Sequence, residues 1–470
     1  MVPSIPICPS NSPLPQPSRG ALPLVAKGRR MSQTVTLKSR RVVLPEGEQP
    51  ASLVLESGRI QRIAAYEDPG EGVVVDYGDK AILPGVIDTH VHFNEPGRTE
   101  WEGWRSGTSA ALAGGVTTVV EMPLNSIPST VDLPSLQLKH DSMPGQLFCD
   151  VGLWGGAVPG NAADLEPMVK AGVLGLKSFM SDPGTAEFRN LDREGLRTAM
   201  QAIAKIDSVL LLHAEWPDAL VEPDPEADPL SYASWLNTRP VAAEREAIKV
   251  VVELAKETGC RCHIVHVASH EALDVLEGSP VTCETCAHYL AFSAEEIADR
   301  ATNFKCAPPI REARHREGLW KALGEGKIQM VTSDHSPCPP DLKNESFLAS
   351  WGGIAGVQML LPVTWTGAST RGFGLNDLTR WLCSEPARLA GLQYERGSIK
   401  EGYLAHLVVF DPEAERTAEA LLHRYSGSPY EGRVWKGVVE AVYLHGDLAY
   451  SGSTVASKPG GRIVSNNGGQ

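Results

Sequence analysis

No stretch of the 470-residue sequence is apolar for long enough to cross a bilayer, so the chain does not read as a membrane protein. An excess of basic residues is missing too. Lys and Arg number 43 against 57 Asp and Glu, a formal net charge of -14. A general nucleic-acid binder needs basic surface to displace phosphate counterions, so that class is excluded while a small neutral substrate is not. The nine cysteines are an odd, scattered set, which points away from a disulfide framework and predicts reduced thiols in the cytoplasm. Cys283-Glu284-Thr285-Cys286 has zinc-ribbon spacing, yet no second such pair exists to complete a tetrahedral site. The β-type pattern around it predicts a strand with part-buried thiols. Internal repeats are also lacking.

Residues 1–30 lack acid altogether and hold seven prolines and four basic residues. Their apolar cluster Ala21–Ala26 is broken by Pro23 and is shorter than a signal-peptide core, and no Arg-rich amphipathic helix is visible. Residues 1–31 are therefore expected to be a Pro/Ser-rich disordered extension, with Met31 an alternative start.

What the chain does have is a change of pattern along its length. Residues 32–80 carry short β-rich segments divided by Gly, Pro and acidic turns. Residues 81–385 alternate strands with amphipathic helices, residues 386–455 return to β, and residues 456–470 read as a flexible tail. The strand candidates are Ile82–Asp88, Thr117–Met122, Phe148–Trp154, Gly175–Met180, Val209–His213, His263–Val267, Val281–Thr285 and Met330–Ser333. Eight β–α units over about 300 residues predict an α/β fold, a parallel (β/α)8 TIM-type barrel. The two chain ends together predict one small β-sandwich domain beside it.

Such a barrel carries its chemistry at the C-terminal ends of its strands. In Asp88-Thr89-His90-Val91-His92, alternate residues of a strand point the same way, so His90 and His92 face one side. Alone, a histidine pair of this kind is more often structural. Four further strand ends add Lys177, His213, His266 and Asp334. His213 alone reads as a core histidine, and Asp334 alone as a cap or turn residue. Lys177 is the odd member, because a buried unpaired ammonium is costly and must be neutralised, paired or chemically altered. Reaction with carbon dioxide would turn it into a carboxylate able to bridge two cations. His263, three positions before His266, is expected to face away. His288 is expected either behind the ligands or toward a substrate, and His335 to orient a loop.

With these motifs the chain resembles the cyclic amidohydrolases of the metal-dependent amidohydrolase superfamily over residues 32–455, and within them the allantoinase branch. The stretches that carry the resemblance are Asp88–Trp104, Gly114–Pro128, Phe304–Arg311, Ser333–Pro340 and Trp351–Gln358. The resemblance implies two divalent metal ions, with zinc favoured by the His-rich set. His90, His92 and Asp334 would hold the more buried ion, His213 and His266 the other, and Lys177 as N6-carboxylysine would bridge both. It further implies hydrolysis of the hydantoin-ring amide of allantoin to allantoate by a hydroxide shared between the cations, with Asp334 as the catalytic proton carrier. Substrate contacts would come from Asn94, Asn125, Ser336, Gly353 and the backbone at Cys306-Ala307. A homotetramer is implied as well. Dihydroorotases carry an arginine where this chain has Asn94, which argues against an acidic ring substrate. Hydantoinases and dihydropyrimidinases are the alternative. Relatives that act as assembly proteins have lost part of the ligand set, whereas all six positions are filled here. In the returning β-segment the group commonly reads Asp-Ala-Asp-Leu-Val, and this chain has Leu404-Ala405-His406-Leu407-Val408. That departure is expected to bear on domain packing.

Overall fold

The computed structural model describes residues 34–465; the extension expected over 1–31 lies outside them. The chain opens with strands β1 (Val35–Leu44), β2 (Gly47–Glu56), β3 (Arg59–Ala64), β4 (Val73–Asp76) and β5 (Ala81–Pro84). The barrel strands follow: β6 (Val86–Val91), β7 (Val116–Glu121), β8 (Asp150–Leu153), β9 (Gly155–Gly156), β10 (Leu176–Phe179) and β11 (Val209–His213). They continue as β12 (Arg261–Ile264), β13 (Thr282–Cys286) and β14 (Met330–Thr332). The chain returns to β with β15 (Leu407–Thr417), β16 (Val434–Leu444), β17 (Asp447–Ser451) and β18 (Thr454–Val455).

Strands β6, β7 and β8 form one parallel group, and β9 through β14 another. β8 and β9 are one strand interrupted at Trp154, so the described barrel has the eight expected staves. It closes where Val91 bridges His335 in parallel and the His92 N–H donates to the His335 carbonyl at 2.7 Å.

Helices cover the barrel for local reasons. Arg193–Lys205 starts at Asp192, whose carboxylate accepts the Gly195 N–H at 2.7 Å, and it buries Leu196, Ala199, Met200 and Ile203 along one face. Val241–Thr258 stops at Gly259, which takes φ 72 and so needs no Cβ. Among the described residues no helix is long and apolar enough to cross a membrane.

The structure departs from the sequence expectation at two places. The segment Ile82–Asp88 was expected to be one barrel strand, but it divides at Gly85. β5 pairs with β1 and β15 in the end-built sheet, and only β6 belongs to the barrel. A Cβ at Gly85 would lie 2.1 Å from Thr117 Oγ1, so the glycine permits the close approach at which the chain changes sheet. The tail expected to be flexible from residue 456 instead lies against β8 through Ser465: Val151 donates to the Arg462 carbonyl at 2.9 Å and Val464 donates back to Val151 at 2.8 Å.

The sandwich is one nine-stranded sheet, ordered β18-β17-β16-β15-β5-β1-β2-β3, with β4 beside β1. It divides at the β1 bulge between Ser39 and Val42, so β4 follows the first half of β1 and β5 the second. Leu37, Leu53, Ile82, Val409 and Tyr443 share the apolar core enclosed by its two lobes.

Candidate active site

Barrel closure brings β6 beside β14, and therefore His90 and His92 beside Asp334. Asp334 Oδ1 lies 3.3 Å from His90 Nε2 and 3.5 Å from His92 Nε2. Neighbouring β11 and β12 bring His213 Nδ1 within 2.9 Å of His266 Nε2. The His90 and His266 rings, 5.4 Å apart, join the two groups. His266 and Asp334 take φ 43 and 44, a region that non-glycine residues occupy sparingly and mostly at functional sites. Lys177, on β10 next to β11, completes the set. Its Nζ is buried without a hydrogen-bond partner, and burial pulls its pKa down to about 7 against the upward pull of Glu284 and Asp334. Burial likewise lowers the proton affinity of His90, His213 and His266, and Lys177 adds to the effect on each. All six residues singled out at strand ends thus meet in one place, with nitrogen and oxygen donors turned inward.

The carboxylates behind this set were missed in the sequence. Glu284 Oε1 meets His90 Nδ1 at 2.7 Å, while its Oε2 meets His263 Nε2 at 3.2 Å. Burial raises the Glu284 carboxyl, but the hydrogen bonds of His263 and His90 bring it down to about 2. His213 Nε2 rests on Glu215 Oε2 at 2.7 Å, and Arg239 pairs with the same oxygen. Burial again raises the carboxyl, and Arg239 followed by His213 brings it to about 2. Carboxylates so placed fix the ring orientation and tautomer of a ligating histidine. A signal existed for both: Glu284 is a lone charge within a strand of Thr and Cys, and Glu215 follows His213 at the two-residue period of one strand face. His263 indeed points away from the cavity, onto Glu284 and Thr282. His335 Nδ1 accepts the Gly356 and Val357 N–H groups at 3.0 and 3.3 Å, which anchors the loop after Gly352.

A cavity of about 290 Å³ opens over the set, lined by His90, His92, His213, His266 and Asp334 together with Asn125, Ala307, Ser336 and Gly353. Its size suits a small ring rather than a polymer. Gly353, at φ 142, packs so closely that a Cβ there would lie 2.2 Å from the Ser336 carbonyl oxygen. Lys343 holds this loop by donating to the Trp351 and Gly353 carbonyls at 2.9 and 2.7 Å. Asn94, expected at the substrate, is not among the lining residues. Glu121 accepts the N–H groups of Phe93 and Asn94, the backbone turns through φ 66, and Asn94 Nδ2 points to the Pro337 carbonyl at 3.5 Å. His288 and Cys286 also lie outside the lining, and the Cys283 and Cys286 thiols are fully rather than partly buried.

Comparison with known proteins adds an independent line. The sequence profile of the Amidohydrolase family matches residues 81–455. An allantoinase of Streptomyces avermitilis is 42% identical over 440 residues, covering 92% of this chain and 98% of its own. An allantoinase of Arabidopsis thaliana is 41% identical, covering 91% of this chain and 90% of its own. Among solved structures, an L-hydantoinase (dihydropyrimidinase) from Arthrobacter aurescens superposes with a TM-score of 0.87 at 28% identity, over 92% of this chain and all of that one.

Proposed function

The chain belongs to the amidohydrolase family, and from that premise we propose that it is a cyclic amide hydrolase that opens the hydantoin ring of allantoin to give allantoate. The observation that carries the reaction class is Lys177: an amine buried to 1% exposure, without a hydrogen-bond partner, set among three histidines and an aspartate. An ammonium is costly there, whereas the N-carboxylated side chain formed with carbon dioxide, with release of one proton, would offer two oxygens to two cations. The donor set fits. His90, His92 and Asp334 would hold one divalent ion, His213 and His266 the other, with carboxylated Lys177 between them. Borderline donors of this kind suit zinc. When bound, the ions polarise the scissile carbonyl and acidify the attacking water.

The chain's own residues do the rest. Asp334 lines the cavity between the ligand histidines and the substrate space, so its carboxylate receives the proton of the attacking water and returns it to the departing ring nitrogen. Ser336, Asn125 and the backbone at Ala307 and Gly353 offer donors and acceptors to a neutral ureide. Glu284 and Glu215 keep His90 and His213 in the tautomers that present a bare nitrogen inward.

Allantoin is favoured as substrate by the allantoinase relatives at 41 and 42% identity over most of the chain. The hydantoinase likeness in fold sustains the second reading, a hydantoinase or dihydropyrimidinase acting on another cyclic amide. Turnover of allantoin, hydantoin, dihydrouracil and dihydroorotate by the metal-loaded protein separates the two. Allantoin fastest is the expected result, and dihydrouracil fastest would overturn the specificity. The eight described cysteines are all free and buried, which supports work in the reducing cytoplasm. A homotetramer, implied by resemblance, is tested by sedimentation equilibrium.

A further inference from the structure

Where Asp334 meets the residues behind the cavity lining, three side chains converge that the proposed reaction does not use as a set. Cys286 ends β13, His288 follows two residues on, and Asp334 reaches them from the end of β14. One ligand atom of each lies within 4.8 Å of the others, a spread that two metal bonds of about 2.0–2.3 Å each span after a small side-chain shift. His288 is fully buried, yet both its ring nitrogens lack a hydrogen-bond partner. Its neighbours differ: His90, His213 and His263 each rest on a carboxylate, and His335 on two backbone N–H groups. The Cys286 thiol has only Thr332 Oγ1 at 3.7 Å. A thiolate and a carboxylate would neutralise a divalent charge in this buried setting, and the neutral imidazole would supply a third bond. The sulfur sets the place apart, because the six-residue set offers nitrogen and oxygen alone. Soft and borderline cations are the ones that thiolate selects.

We propose that Cys286, His288 and Asp334 form a third metal position for thiophilic divalent cations, and that filling it diverts Asp334 and inhibits the enzyme. The inhibition rests on the catalytic role given to Asp334 above; the metal position itself does not. On binding, a metal–sulfur bond forms, the Cys286 thiol proton leaves to solvent, and no oxidant or reductant takes part.

The test titrates the two-metal enzyme with cobalt(II), following metal content, the near-ultraviolet charge-transfer band of a cobalt–thiolate bond, and turnover. The expected result is a thiolate band rising with the third equivalent while turnover falls about tenfold or more, the scale on which disturbed metal surroundings act. Cys286→Ser should keep its two-metal turnover and lose both band and inhibition. His288→Asn should weaken the band, and serves as the second variant if Cys286→Ser does not fold. A wild type without a thiolate band at three equivalents overturns the proposal, as does a band unchanged in Cys286→Ser. The band needs no substrate, so a band in a protein inert toward allantoin would sink the assigned reaction and leave the metal position standing.

Discussion

Two buried clusters of histidine and aspartate sit at opposite ends of the barrel, and by ligand distance alone either is able to hold a metal ion. At the C-terminal ends of the strands, His90, His92 and Asp334 face a cavity, and Lys177 Nζ and His266 Nδ1 beside them have no hydrogen-bond partner. At the other end, Asp150 opens β8 and receives His445 Nε2 at 2.9 Å, Arg396 Nη1 at 3.0 Å and the Arg462 N–H at 2.9 Å, while His406 leans on His445 at 3.2 Å. Here the guanidinium already supplies the positive charge that a metal would bring. Burial raises the Asp150 carboxyl, but His445, His406 and Arg396 hold it well below the usual carboxylate range. The difference separates a site from a clasp. Unmet donors facing a cavity leave room for chemistry, whereas the charge-balanced cluster ties the barrel to the sheet built from the chain ends.

Substitutions that exchange the two behaviours would break this contrast. Lys177→Ala should lower turnover more than about 100-fold, beyond what loss of an outer partner costs, with the thermal midpoint held and activity partly restored by a short carboxylic acid. Full activity without rescue would remove Lys177 from the site. Asp150→Ala should do the reverse, costing about 3–5 kcal/mol of stability by removing the buried carboxylate that Arg396 and His445 share while turnover per folded molecule is unchanged. Urea unfolding and an active-fraction assay read both quantities. Glu284→Gln removes the charge behind His90 and should reduce metal affinity or turnover about 10–100-fold, as metal-buffered titration would show.

The smallest effect is in pH. Burial lowers the proton affinity of His406 well below that of a free imidazole, and Asp150 only partly offsets this. Between its folded and unfolded values the unfolded chain binds the proton and the native one does not, so stability falls as pH drops below about 6.5. The slope from this residue is about 1.4 kcal/mol per pH unit at most. His406→Asn should flatten the acid limb of a thermal-midpoint profile; an unchanged limb would show that His406 takes its proton in the folded state.

The same contrast explains what was legible in the sequence. The six candidate active-site positions each lie within or just after a barrel strand, and strand periodicity plus barrel closure suffices to aim them together. Pro84-Gly85 was the available signal that the run Ile82–Asp88 divides; only the approach to Thr117 shows why the chain leaves one sheet for another there. Asn94 looked like a substrate contact by position, but the grip of Glu121 on the turn could not be read from residues 27 apart in sequence. Glu284 and Glu215 were visible as acids within or just after a strand, although their partners come from neighbouring strands or loops. The clasp was least legible, since Asp150 lies more than 240 residues from its partners Arg396 and His445. The one hint was His406 standing where the group commonly has aspartate, and its place between barrel and sheet accords with the expected bearing on domain packing.

The central claim is that the C-terminal cluster is a two-metal hydrolytic site acting on a cyclic ureide. Stripping the protein of metal and following allantoate release from allantoin as zinc is returned tests it most directly. The expected result is no turnover without metal and a maximum at two ions per chain. Turnover that survives complete metal removal, or a metal-saturated protein inert toward every cyclic amide, would contradict it.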